Sequence, residues 1–174
     1  MSKPVPSATL STLLSCLTTL DPELPFRVLA YRESIPAGLA GGYVALTDAA
    51  RAVQVGLLSE MLGWQALAGA SGLDAVRGRQ QVVEAATELV TRLARAFRGR
   101  WADGREVTIG LPLFVEGGIV LDGRLEAQAA DIVLGSTRAL LVVLAAPSSL
   151  AAATPTADPA SATPTAHRNQ EPAR

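Results

Sequence analysis

Residues 79 to 97 read RQQVVEAATELVTRLARAF, the longest uninterrupted helical pattern in the chain, with neither glycine nor proline. At about 100° per residue, Val82, Ala86, Leu89, Val90, Leu93 and Phe97 fall on one broad face, which belongs against a core. Glu84, Thr87, Glu88, Thr91, Arg95 and Arg98 gather on the opposite side. Glu84 and Thr87 stand three positions apart, so they project from the surface together. On spacing alone an ordinary solvated face accounts for the pattern, with Glu88 pairing to Arg92 or Arg95 for about 0.2–0.5 kcal/mol.

Toward the N-terminus, Leu39 to Leu46 suits a strand, and Gly41-Gly42 within it point to a bulge or a close backbone approach. Thr47 and Asp48 are N-cap residue types, which predicts a helix over Ala49 to Leu62. Its stripe would be Ala50, Val53, Leu57 and Met61, and Gly63 would take the C′ position. A Gly- and Ala-rich connection with Ser71-Gly72 comes next. Farther back, Ser7 or Thr9 caps a helix running to about Leu20, with Leu10, Leu13, Leu14 and Leu17 three and four apart. Asp21-Pro22 and Pro25 stop it, Phe26 to Tyr31 is a strand, and Ser34 to Gly38 connects to the next.

Toward the C-terminus, Arg98-Gly99-Arg100 and Asp103-Gly104 end the long helix. Arg105 to Val115 alternates around Val107, Ile109 and Leu111 as a strand that Pro112 drives to an edge or bulge. Gly117-Gly118 is a loop, Ile119 to Leu121 a short apolar piece, and Asp122-Gly123 a hairpin signal. Leu125 to Leu134 and Arg138 to Ala145 are strands joined near Gly135-Ser136. The order is helix, two strands, two helices, then strands. That order predicts an α+β fold with two principal helices packed on an antiparallel-rich sheet.

Residues 147 to 174 are dominated by Pro, Ala, Ser and Thr and hold almost no large apolar group after Leu150, so a disordered tail is expected. Residues 1 to 7 are expected to be a flexible N-terminus, leaving 8 to 146 as one domain with one core. The 15 basic and 16 acidic residues nearly cancel, so no basic field exists to concentrate nucleic acid. Cys16 is the single cysteine and His167 the single histidine, which excludes an intramolecular disulfide and a His-based triad or metal site in the domain. Leu13-Leu14-Ser15-Cys16 has the outline of a lipoprotein cleavage site, but interrupting Ser and Thr residues make an amphipathic helix the better reading. No stretch has the length of apolar sequence that spans a bilayer, and a cytoplasmic location is expected.

Gly41-Gly42-Tyr43-Val44-Ala45-Leu46, then a helix ending Met61-Leu62-Gly63, then Val83-Glu84-Ala85-Ala86-Thr87, then Ile109-Gly110-Leu111-Pro112 resembles the CheC/CheX/FliY family of response-regulator phosphatases. The family has a strand, a helix with a Leu-Gly ending, a helix bearing Glu-x-x-Asn, and a strand running into a Leu-Pro step. The likeness covers residues 39 to 116. It implies a chemotaxis or two-component signalling protein that binds a phosphorylated CheY-like receiver domain. In the family the helix docks over the receiver's phosphorylated aspartate, the acid engages a receiver lysine, and the amide orients the attacking water. By position Glu84 would be the docking acid and Thr87 would stand where the family has asparagine. Threonine offers one hydroxyl on a short branched stem, so an inactive receiver-binding adaptor is the alternative to hydrolysis of the aspartyl phosphate. Gln81 is an amide one turn before Glu84 that could substitute. The magnesium of this chemistry belongs to the receiver, so no cofactor is expected on this chain. A homodimer through a sheet edge is left open.

Overall fold

The computed structural model describes residues 6–20, 25–70, 78–117, 121 and 124–147. Residues 1–5 and 148–174, the Asp21-Pro22 stop, the Ser71-Gly72 connection, Gly118 to Val120 and the Asp122-Gly123 hairpin signal lie outside them. The elements run α1 (Ala8–Leu20), β1 (Phe26–Arg32), β2 (Leu39–Thr47), β3 (Ala52–Ser59), α2 (Met61–Ala70), α3 (Arg79–Trp101), β4 (Thr108–Ile109), β5 (Leu113–Gly117), β6 (Glu126–Leu134) and β7 (Thr137–Ala145). The strands form one antiparallel sheet in the order β1-β6-β7-β3-β2-β4, with β5 also on β2. The fold is therefore α+β, as the pattern of elements predicts.

Ser7 caps α1, its Oγ accepting the Leu10 N–H at 3.2 Å. Leu10, Leu13, Leu14, Cys16 and Leu17 of α1 are all buried, so this helix joins the core and Cys16 serves as a small apolar residue there. Burial raises the pKa of its thiol. The three helices lie on one face of the sheet, where Trp64 and Leu67 of α2 and Leu89, Leu93 and Phe97 of α3 meet Val44, Leu46, Val55, Leu57, Ile132, Leu141 and Val143. On the other face Tyr43, Leu58, Ala129, Leu140, Val142 and Leu144 form a smaller cluster. β7 is buried on both faces from Ala139 to Ala145, which explains its nearly continuous apolar sequence.

The helix expected over Ala49 to Leu62 is not there. Residues 52 to 59 are β3, paired with β2 from Thr47↔Ala52 to Ala40↔Ser59, and α2 begins only at Met61. Asp48 does act as a cap, but of a hairpin loop. Its Oδ1 accepts the N–H groups of Ala50 and Arg51 at 2.8 and 2.7 Å, and the Asp48 N–H donates to the Arg51 carbonyl. An Asx turn uses the same side chain and the same local donors as a helix N-cap, and only the residues after it distinguish the two. Here those residues place Val53, Val55 and Leu57 at alternate positions, and the two β-branched valines suit a pleated surface. Gly63 lies inside α2, where a Cβ would collide with Ser59 Oγ.

The predicted strand over Arg105 to Val115 is split. β4 and β5 are separate short pieces, both on the outer side of β2, with Gly110 donating to the Ala45 carbonyl at 2.8 Å before the chain turns through Leu111-Pro112. Pro112 thus sits at the sheet edge, where its missing N–H leaves no ladder bond unmade.

Candidate functional site

The platform of the site is α3. Nine of its residues, including Val82, Ala86, Leu89, Val90, Leu93 and Phe97, are buried, and these are the positions that the helical wheel assigns to the core. It rides close on β2. A Cβ at Gly42 would lie 2.6 Å from Val90 Cγ1 and 2.7 Å from the Ala86 carbonyl oxygen, so only glycine lets the helix backbone approach there. The β2–β3 register runs unbroken through this point, so of the two readings of Gly41-Gly42 the close approach holds at Gly42.

The ends of α3 are fixed separately. Near its start Arg79 Nη2 reaches Glu116 Oε2 on β5 at 2.8 Å, an exposed pair of small energetic weight. Gly99 is helical, and α3 continues to Trp101 before Asp103 and Gly104, with φ of 46° and 77°, turn the chain away. Trp101 stacks on Phe97 with centroids 5.7 Å apart, and the Arg51 guanidinium lies 4.5 Å from its ring centroid. Arg51 also holds Asp48 Oδ2 through Nε and Nη2 at 3.0 and 2.8 Å. Asp48 is thereby kept below the usual carboxylate range, first by the Ala50 N–H and then by Arg51.

Glu84 and Thr87 come together on this platform, one turn apart on its outer side. Glu84 is exposed, and its Oε1 accepts a bond from the neutral amide of Gln80 at 3.1 Å. Thr87 is half-buried on the flank of the helix. Its hydroxyl donates back to the Val83 carbonyl at 2.8 Å and lies 3.0 Å from the Glu84 carbonyl oxygen. Thr91 repeats the arrangement, donating to the Thr87 carbonyl at 2.6 Å. The Thr87 hydroxyl thus turns back on its own helix, as threonine commonly does in this setting. Glu88 pairs with Arg92 at 2.7 Å, one of the two partners its spacing allows.

Gln81 stands six residues from Thr87, about 120° away around the helix and nearly two turns along it, so it does not fill the place of the missing asparagine. The amide at the site is instead Gln80. Its position four residues before Glu84 is the sequence signal that identifies it.

Among the described residues no cluster of His, Cys, Asp and Glu could hold a metal ion, and no helix is long and apolar enough to cross a membrane. Two surface hollows, of about 440 and 150 Å³, are lined by Glu33, Leu121 and β6 residues and by Pro36, Leu58, Glu60 and Arg138 among others. Neither is lined by a residue of α3. Glu84 and Thr87 lie on a helix face and line neither hollow.

This arrangement, three helices on one face of an antiparallel sheet, has the fold of the CheC/CheX/FliY family. Among solved structures, the chain is similar to CheX of Desulfovibrio desulfuricans, with TM-score 0.62, 12% identity and coverage of 79% of this chain and 95% of that one. It is similar to CheX in the CheX–CheY–BeF3–Mg complex of Borrelia burgdorferi, with TM-score 0.58, 16% identity and coverage of 79% and 94%. FliY of Thermotoga maritima matches with TM-score 0.53, 9% identity and coverage of 82% and 86%. No family model and no curated protein matches the sequence.

Proposed function

We propose that this chain is a chemotaxis or two-component signalling module that binds a phosphorylated receiver domain through the outer face of α3. The observation that carries the reading is Glu84, an exposed acid with no cationic partner among the described residues, one turn before Thr87 on the element that bears Glu-x-x-Asn in the family. Further support comes from the similar CheX solved in complex with CheY, beryllium fluoride and magnesium. Glu84 pairs with a lysine of the receiver, and Thr87 is carried over the acyl phosphate. The metal that neutralises the phosphoryl oxygens is the receiver's own.

The fate of the acyl phosphate turns on Thr87. In-line hydrolysis requires a water held opposite the leaving carboxylate, and holding it takes an acceptor of the right reach. Thr87 offers an acceptor oxygen, but on a short branched stem that lies back against the Val83 carbonyl, so its reach toward such a water is less than that of an asparagine amide. That observation favours a binding adaptor over an efficient phosphatase. The deciding experiment follows the decay of a phosphorylated receiver with and without this protein. The adaptor reading predicts tight binding with decay unaltered or slowed, and Thr87→Asn should then accelerate decay by about tenfold or more. Decay accelerated by the wild-type chain and lost in Thr87→Ala would establish the hydrolase instead.

A further inference from the structure

The outer face of α3 carries opposite charge at its two ends. Glu84, Glu88, Thr91, Arg95 and Arg98 succeed one another at steps of four, three, four and three residues, so they form a single stripe. Glu88 is neutralised by Arg92. Glu84 meets only the amide of Gln80. Arg95 and Arg98 are exposed, and neither has a carboxylate within ion-pair reach among the described residues. The neighbouring cations are engaged, Arg100 with Ser15 Oγ, Arg51 with Asp48 and Trp101, and Arg105 with Asp48 at 3.9 Å.

The helix macrodipole explains only part of this. Its favourable end effect is confined to the last turn, which holds Arg98 and Arg100. Arg95 stands six residues before the end at Trp101, and Glu84 lies beyond the first turn. At 1.5 Å per residue, Arg95 is about 16 Å and Arg98 about 21 Å from Glu84 along the axis. The stripe is thus a rigid ruler with an unpaired acid at one end and two unpaired cations at the other.

We infer that Arg95 and Arg98 form a second docking pole that selects among receivers. The pole favours one with an acidic patch about 16–21 Å from the basic group that meets Glu84. The inference rests on the receiver-binding reading at Glu84 and adds the feature that chooses the partner. A receiver with basic residues at that distance would place like charges together and be rejected.

The test titrates the receiver domains of the source organism, each loaded with beryllium fluoride and magnesium, against four forms of the full chain. These are wild type, Glu84→Lys, the double variant Arg95→Glu with Arg98→Glu, and the milder Arg95→Gln with Arg98→Gln. Melting curves verify that each is folded, and the glutamine pair keeps the test valid if charge reversal disturbs the helix. For the tightest receiver, charge reversal should weaken binding at least tenfold, chiefly by slower association and less so at high salt, with the glutamine pair intermediate. If Glu84→Lys loses binding while both arginine variants bind like wild type, the second pole is wrong and the receiver reading stands. If no loaded receiver binds wild type, or Glu84→Lys binds as tightly, the receiver reading falls and the second pole with it.

Discussion

Gly42 and Asp48 show how single residues place the site. Because a methyl group at 42 would press on Val90 Cγ1 and the Ala86 carbonyl, Gly42→Ala must push α3 off β2 or twist the strand. Overpacking of this kind costs about 1–3 kcal/mol, measurable by denaturant unfolding, and the displaced helix should also bind a receiver less tightly. Asp48 acts through charge. Its carboxyl is held below its usual range in the folded chain, so the stability it supplies is complete above the unfolded value of about 3.9. That contribution disappears as pH falls through the lower folded value. Asp48→Asn should therefore lower Tm at neutral pH, and the gap to wild type should close in acid below about pH 3.9. A gap of constant size from neutral pH to pH 2 would show that the charge is not the cause. That Gly41-Gly42 serve a backbone purpose is legible in the sequence, but the choice of a close approach over a bulge comes from the unbroken register and the nearness of α3. The task of Asp48 is not, because a hairpin Asx turn and a helix N-cap demand the same residue.

Among the elements, α3 is the most legible, since the apolar face from Val82 to Phe97 recurs over about four turns and each of its six residues is buried as its spacing requires. Leu93→Ala should cost about 2–5 kcal/mol, as deletion of a fully buried side chain does, and a loss under 1 kcal/mol in chemical denaturation would mean the site is less tightly packed than the structure describes. Leu111 is the contrast, 86% exposed in the turn between β4 and β5, so Leu111→Ser should change stability by less than about 0.5 kcal/mol. The segment from 49 to 62 misleads because Val53, Leu57 and Met61 satisfy a repeat of four while Val53, Val55 and Leu57 satisfy a repeat of two. Over so short a run the two periods share residues. The sheet decides between them, since β3 lies between β2 and β7 and needs apolar groups on both faces, which is why Val53 and Val55 to Leu58 are all buried.

For the whole molecule, the strand order is not legible in the sequence. β1 joins β6, some hundred residues away, and β4 and β5 line the far side of β2, long-range pairings that no local pattern in the sequence marks. The sum is legible, α+β with helices on an antiparallel sheet, together with the place of Glu84 and Thr87 on it. From composition, removing residues 150 to 174 should leave Tm unchanged within error, and a drop of several degrees would show that this segment packs on the domain. The central claim concerns α3 and a receiver in its phosphorylated state, and one titration tests it most directly. A receiver with and without beryllium fluoride is titrated against wild type and Glu84→Lys. Beryllium fluoride should tighten binding to wild type, and Glu84→Lys should remove most of that binding with no change in Tm. Equal affinity for both receiver states, or an unaltered affinity in Glu84→Lys, would contradict the claim.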